Sequence, residues 1–99
     1  MESPSHPPVI VKHPQNQTGI YGDEITFTVS ATGSGLLSYQ WMKDGKAITN
    51  ENSFVHYFDT PTLHIHSFSP ECKGSYSCVV SSSIGSVISR SAEIKGVLK

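Results

Sequence analysis

Hydrophobic and polar residues alternate with a period of two along several short segments of the chain. In the clearest one, EITFTVSA, Ile25, Phe27, Val29 and Ala31 alternate with polar residues. Because successive side chains of a β-strand point to opposite faces, this pattern predicts a strand with one buried face. The 3–4 spacing of an amphipathic helix is missing from every window of about eleven residues. Turn residues recur about every eight to twelve positions, which is typical of a β-sandwich or barrel.

Further strands are predicted on the same grounds. The dipeptide Asp44-Gly45 in KDGK is a strong hairpin turn signal. Pro14 divides the first apolar run into two pieces, as expected of an edge strand. In the last run the alternation is lost from Ile88 to Arg90, which indicates a bend. The additional predicted strands are PVIVKHP, QTGIY, LSYQWMK, SFVHYF, PTLHIHSF, GSYSCVVS and GSVISRSAEIKGV.

The chain length of 99 residues predicts a single domain. The Pro/Ser-rich start predicts a flexible linker over residues 1–8. The strands span residues 9–95, and residues 96–99 are predicted to be a C-terminal extension. Hydrophobic residues make up 36% and charged residues 15% of the chain, as suits a globular domain.

The charge pattern narrows the class of partner. The net charge is −1 and no basic block is present to neutralise phosphates, which argues against nucleic-acid binding. No apolar run approaches the ~18 residues needed to span a bilayer. The first residues also lack the basic-then-apolar pattern of a signal peptide. We therefore expect a protein partner, of a kind the sequence does not identify, and no direct membrane contact.

Several segments together resemble a known family. GDEITFTV, LSYQWMKDG with Trp41, TLHIHSF, KGSYSC with Tyr76 and Cys78, and GSVISRSAEI occur in the order typical of an immunoglobulin domain. The likeness is to the intermediate type (I-set) of adhesion receptors, muscle filament proteins and signalling scaffolds, over about residues 9–95. It implies an all-β, antiparallel sandwich of seven to eight strands, with the Tyr76 hydroxyl bonded to the upstream backbone. The expected structural core is Phe27, Val29, Trp41, Leu63, Ile65, Tyr76 and Cys78.

The cysteines depart from the family pattern. Val29 occupies the position of the usual strand-B cysteine, so the bridge between the two sheets cannot form. Cys72 and Cys78 would lie over ~10 Å apart along an extended strand, whereas a disulfide needs Cα atoms within ~7 Å. We therefore predict two free thiols, with Cys78 buried against Trp41 and Val29 and Cys72 near the surface. The absent bridge favours a reducing, cytoplasmic setting.

One motif favours the opposite setting. Asn16-Gln17-Thr18 matches the N-glycosylation acceptor pattern, which matters only in the secretory pathway. A chance occurrence is the preferred interpretation of this three-residue match. An extracellular adhesion or receptor domain stays open as the alternative.

Candidate chemistry is sparse. His64 and His66 lie two residues apart on one strand and, with His56 on a neighbouring strand, could share a metal ion. Solvated surface histidines are the preferred interpretation. No arrangement of a nucleophile with a base is present, so we expect no catalytic residue and no cofactor in this domain. A catalytic domain elsewhere in the parent chain is compatible with that expectation.

The expected partner face is the outer side of the sheet that contains Trp41. Gln40 and Met42 project there, together with Val79 and either Val87 or Ile88, depending on where the last strand bends. A small uncharged, partly apolar patch has the composition of a docking surface, although scattered apolar residues of an ordinary surface are equally compatible. The sequence thus predicts a non-catalytic interaction or spacer module within a larger, intracellular multidomain protein, with weak self-association as a further option.

Overall fold

The computed structural model describes residues 6–49 and 59–97, together with the backbone of residues 55–56. Eleven extended segments run along these residues. Helical structure there is limited to the 3-10 turn Pro70–Cys72, and none of it could cross a membrane. The strands are β1 (Val9–Lys12), β2 (Gln17–Ile20), β3 (Ile25–Thr28), β4 (Ser30–Thr32), β5 (Ser38–Lys43), β6 (Lys46–Ala47), β7 (Val55–His56), β8 (Thr62–Ile65), β9 (Ser75–Ser82), β10 (Gly85–Ile88) and β11 (Ala92–Val97).

The strands form two layers. One layer contains the pair β1–β4 and the sheet β3–β8–β7. The other follows the order β2–β11–β9–β5–β6, with β10 also paired to β9. All pairings are antiparallel except β2 with β11, which is parallel. The predicted all-β sandwich is therefore confirmed.

The segments outnumber the seven to eight predicted strands because several strands are interrupted. β3 and β4 are one run divided at Val29, whose backbone N–H donates to the oxygen of Pro61, the residue opposite it in the register of β3 with β8. Pro61 has no N–H to return the bond, so the ladder ends there. β10 and β11 are likewise one run broken at residues 89–91. The predicted strand SFVHYF is described only at Val55–His56.

The first strand changes layer at a proline. β1 pairs with β4 in one layer, whereas β2 pairs with β11 in the other. Pro14, which lies between them, is buried and cannot donate a ladder hydrogen bond. The division expected at Pro14 is therefore a crossing between the two sheets.

Both predicted ends of the domain need correction. In the predicted linker 1–8, residues 6–8 belong to the fold: the N–H of His6 donates to Ser34 Oγ, the N–H of Ser34 donates to the oxygen of His6, and Pro8 is buried. Residues 1–5 lie outside the described residues. The predicted extension 96–99 is wrong for its first two residues, because β11 continues through Gly96 to Val97 along β2.

The core lies between the layers and surrounds Trp41. The rings of Phe27 and Tyr76 stack with centroids 5.2 Å apart, and Phe27 lies 6.3 Å from Trp41. The Trp41 indole N–H donates to the oxygen of Thr60 at 2.7 Å, so its one polar group is satisfied. The seven expected core residues are all buried, together with Ile25, Ile48, Phe68, Cys72, Val80, Ala92 and Ile94.

Candidate protein-interaction face

Strand register creates an uncharged row across the second layer. Val79 in the central strand β9 is paired with Gln40 of β5 on one side and with Ile88 of β10 on the other. Directly paired residues of antiparallel strands project to the same face of a sheet. The three side chains therefore form one continuous row on the outer surface.

Two further rows extend this surface. Ser81 is paired with Ser38 and Ser86, and Ser77 with Met42. None of the side chains in the three rows carries a charge, which is unusual for an exposed sheet surface. We call this surface the β9 outer face; it consists of Ser38, Gln40, Met42, Ser77, Val79, Ser81, Ser86 and Ile88.

The register decides between the two candidates in the last strand. Ile88 is 57% exposed on the outer face, whereas Val87 is paired with Val80 and packs against the core. Of the two alternatives, Val87 therefore faces the core and Ile88 faces outward. Between the pairs Ile88–Val79 and Glu93–Ser75, the last strand advances five residues while β9 advances four. The extra residue at 89–91 is a β-bulge that moves the side-chain alternation by one position.

Hydrogen bonds to the backbone fix the Gln40 side chain in the β9 outer face. The Gln40 side-chain amide donates to the oxygens of Ile48 and Trp41 at 3.0 and 2.9 Å. Met42 and Val79 are half-buried, and Ser77 is buried. The surface therefore offers a fixed shape, with Ile88 as its most exposed large apolar side chain.

An apolar extension that sequence reasoning missed adjoins this face. Leu36, in the loop before β5, is 94% exposed, and Ile84, in the turn before β10, is 47% exposed. A groove beside Leu36 is shared with Ser38 and Ser81 of the β9 outer face. The consecutive leucines 36 and 37 could have predicted this exposed apolar residue. Leu37 packs against the core, so its neighbour Leu36 points outward.

The predicted surface position of Cys72 is wrong. Its side chain is fully buried, because the 3-10 turn Pro70–Cys72 directs it into the core. The sulfur lies 3.4 Å from Ser69 Oγ and 3.8 Å from the oxygen of Ser67. The Tyr76 hydroxyl donates to the backbone oxygen of Cys72, which ties the end of this turn to β9.

Cys78 is also a free thiol and fully buried. It is paired in register with Trp41, and it belongs to the same buried cluster as Val29. Burial raises the pKa of the Cys78 thiol to about 11. A neutral, buried thiol is a packing group and a poor nucleophile.

The histidines that were candidate metal ligands have different surroundings. His64 Nδ1 lies 3.4 Å from Glu24 Oε2, which gives this ring an ionic partner within the sheet surface. His66 is exposed and lies beyond the end of β8. The side chain of His56 lies outside the described residues. Across those residues no group of three metal-binding side chains comes together.

Asn16, the candidate glycosylation residue, has a structural role. Its exposed side chain accepts a hydrogen bond from the backbone N–H of Glu93, with Oδ1 2.9 Å from that nitrogen. This bond joins the start of β2 to the start of β11. The side-chain nitrogen, which is the atom a glycan would modify, is not used by that bond.

Comparison with known proteins gives a family. A family model described as immunoglobulin domain matches residues 7–82. Human HEPACAM family member 2 is 31% identical over 80 residues, covering 81% of this chain and 17% of that protein. The Drosophila melanogaster cell adhesion molecule Dscam1 is 39% identical over 67 residues, covering 68% of this chain and 3% of that protein. The chain thus spans less than a fifth of either relative.

Solved structures agree on the fold. The tandem Ig repeats of Dlar superpose with a TM-score of 0.84 at 24% identity, covering 93% of this chain and 49% of that one. The titin M10–obscurin-like 1 Ig complex gives a TM-score of 0.82 at 17% identity, covering 97% of this chain and 98% of that one. With this fold and the family match over most of its length, the chain belongs to the immunoglobulin domain family.

Proposed function

We propose that this domain is a non-catalytic protein-binding module of a larger protein, and that the β9 outer face is its contact surface. The observation that carries the proposal is the uncharged row Gln40–Val79–Ile88, in which Ile88 is 57% exposed. Removing such a side chain from water contributes about 1–2 kcal/mol. Because the Gln40 amide is already bonded within the sheet, a partner meets a surface that needs little ordering.

The structure offers a matched control for this proposal. Val9 is also 57% exposed but lies on β1, in the other layer. A photo-crosslinking amino acid would replace Ile88 or Val9 in the full-length parent protein inside its own cells. We expect position 88 to capture a protein that position 9 does not. The captured protein would then be titrated against the purified domain.

In that titration Ile88→Asp should weaken binding at least tenfold, because a buried unpaired carboxylate opposes association, while Val9→Asp should leave it unchanged. Equal effects of the two substitutions would contradict the assigned face. A domain that captures no protein at either position would instead act as a mechanical spacer, which is the second candidate function.

The proposed setting is intracellular. Two buried thiols without a cross-link, and Val29 where a bridge would need sulfur, support a reducing environment. An extracellular setting is the alternative, and the match to a protein named as a cell adhesion molecule favours it. Expression of the full-length protein with a tag distinguishes the two. Cytoplasmic localisation without a glycan on Asn16 supports the first, whereas surface localisation or a glycosidase-sensitive mass on Asn16 supports the second.

A further inference from the structure

Two strand interruptions meet at one edge of the sandwich. His13 lies between β1 and β2, and Arg90 lies in the bulge between β10 and β11. The backbone N–H of Arg90 donates to His13 Nδ1 at 3.0 Å. Because Nδ1 accepts this bond, the neutral imidazole carries its proton on Nε2 and can donate from its other side.

A groove opens beside this junction on the first layer. The pairing of β1 with β4 shifts register between Ile10 and Lys12, and such a bulge leaves two consecutive side chains exposed, Val11 and Lys12. Val11 is 58% exposed. The residues that line the groove include Val11, Lys12, His13, Thr28, Ser30 and Arg90.

The described residues that line this groove and always carry a charge are both cations. Lys12 and Arg90 are exposed cations, and neither forms an ion pair with any described residue. Among the residues that the structure describes, no carboxylate lines the groove. Glu24, on the same layer, is 3.4 Å from His64 and so already has a partner. The hydroxyls of Thr28 and Ser30 add neutral hydrogen-bonding groups to the floor.

We propose that this groove binds an extended acidic segment of another protein, with carboxylates at Lys12 and Arg90 and an apolar side chain against Val11. Both cations are exposed, Lys12 at the end of β1 and Arg90 between β10 and β11, so an extended chain that lies along the groove can contact both. A long polyanion is disfavoured because the whole domain has a net charge of −1. None of the residues of the β9 outer face lines this groove, so the two proposed surfaces are separate.

The test uses the 99-residue protein labelled with nitrogen-15 and three blocked pentapeptides, Glu-Val-Glu-Val-Glu, Gln-Val-Gln-Val-Gln and Lys-Val-Lys-Val-Lys. We expect the acidic peptide alone to move the amide resonances of Val11, Lys12, Thr28, Ser30 and Arg90. Lys12→Gln and Arg90→Gln should each weaken binding about two- to fivefold, the effect of losing one exposed ion pair. Arg90→Gln keeps the backbone bond to His13. Lys73→Gln and Lys95→Gln, which remove cations from the separate groove beside Asn16, are the controls.

Three outcomes would overturn the proposal. Equal weakening by the control substitutions would show general attraction and no site. Equal binding of the glutamine peptide would show that the cations are not used. Inorganic phosphate at matched ionic strength that binds as tightly as the acidic peptide would show a simple anion site in place of a peptide groove.

Discussion

The hydroxyl of Tyr76 donates a hydrogen bond to the backbone oxygen of Cys72, four residues earlier in the chain. The bond joins the start of β9 to the 3-10 turn that precedes it. Both residues are fully buried, so water cannot replace either partner. Burial also raises the pKa of the Tyr76 hydroxyl well above its ordinary value. This buried bond therefore ties the turn to the strand.

Tyr76→Phe should lower the free energy of unfolding by about 1–3 kcal/mol, because it leaves the buried oxygen of Cys72 without its donor. Urea denaturation followed by Trp41 fluorescence measures this change. Tyr39→Phe is the control, since the Tyr39 hydroxyl makes no hydrogen bond within the described residues and should cost little. Equal losses in the two variants would show that ring packing, and not the hydroxyl bond, fixes the turn.

The sequence predicts which residues form the strands and the core better than it predicts which residues face the solvent. Period-two alternation identified β3 and placed Phe27 and Trp41 inside, because a buried strand face needs apolar residues at every second position. The Asp44-Gly45 turn was predictable too, since both residues adopt the positive φ values, 52° and 82°, that such a hairpin turn requires.

Two features depended on contacts that no local pattern encodes. Cys72 is buried because Pro70–Cys72 closes into a 3-10 turn, whereas an extended chain would have placed it outside. Ile88 faces outward because it is paired with Val79, and one extra residue between β10 and β11 puts it out of phase with Ala92, which is buried. A bulge reverses the alternation after it, so the outward residue is known only once the pairing of both sides is known.

The two thiols should be protected in the native protein. Both are fully buried, so iodoacetamide at pH 8 should label neither until denaturant unfolds the chain. Mass spectrometry after timed quenching counts the labels. Rapid labelling of Cys72 alone would indicate that the 3-10 turn opens without global unfolding.

Cys78 should also make stability depend on alkaline pH. Its folded pKa of about 11 lies above the ordinary thiol value of 9.0, so the unfolded state loses its proton first. The contribution of the protonated Cys78 thiol to the free energy of unfolding is complete below pH 9 and declines as pH rises towards 11. Cys78→Ala should reduce this decline, leaving the part due to Tyr76, as measured by urea midpoints from pH 8 to 11. An unchanged slope in the variant would contradict the raised pKa.

The Asp44 carboxylate should make the stability of the fold depend on pH at the acid end of the range. The backbone N–H of Ser75 donates to Asp44 Oδ1 at 3.0 Å, and this bond lowers the pKa of the carboxyl from 3.8. A lowered folded pKa gives stabilisation that is present above the ordinary pKa and lost as pH falls through the folded one. Asp44→Asn keeps an acceptor and tolerates the positive φ, so its urea midpoint should change less than that of wild type below pH 4. Asp44→Ala, which has no acceptor, should be the less stable variant at pH 7.

Val29→Cys should restore the cross-link that this chain lacks. Val29 and Cys78 are buried in one cluster; Val29 lies between β3 and β4 of one layer and Cys78 in β9 of the other. A bridge between them would close a loop of about 50 residues and stabilise the fold by roughly 4 kcal/mol in the chain-entropy model. Air oxidation should make the variant lighter by two hydrogens, and its urea midpoint should fall when reductant is added. Val29→Cys combined with Cys78→Ala is the control, which should show no dependence on reductant. If the single variant stays reduced under oxidising conditions, the two positions do not face each other across the sandwich. In that case Val29 does more for the fold than occupy the position of a cysteine.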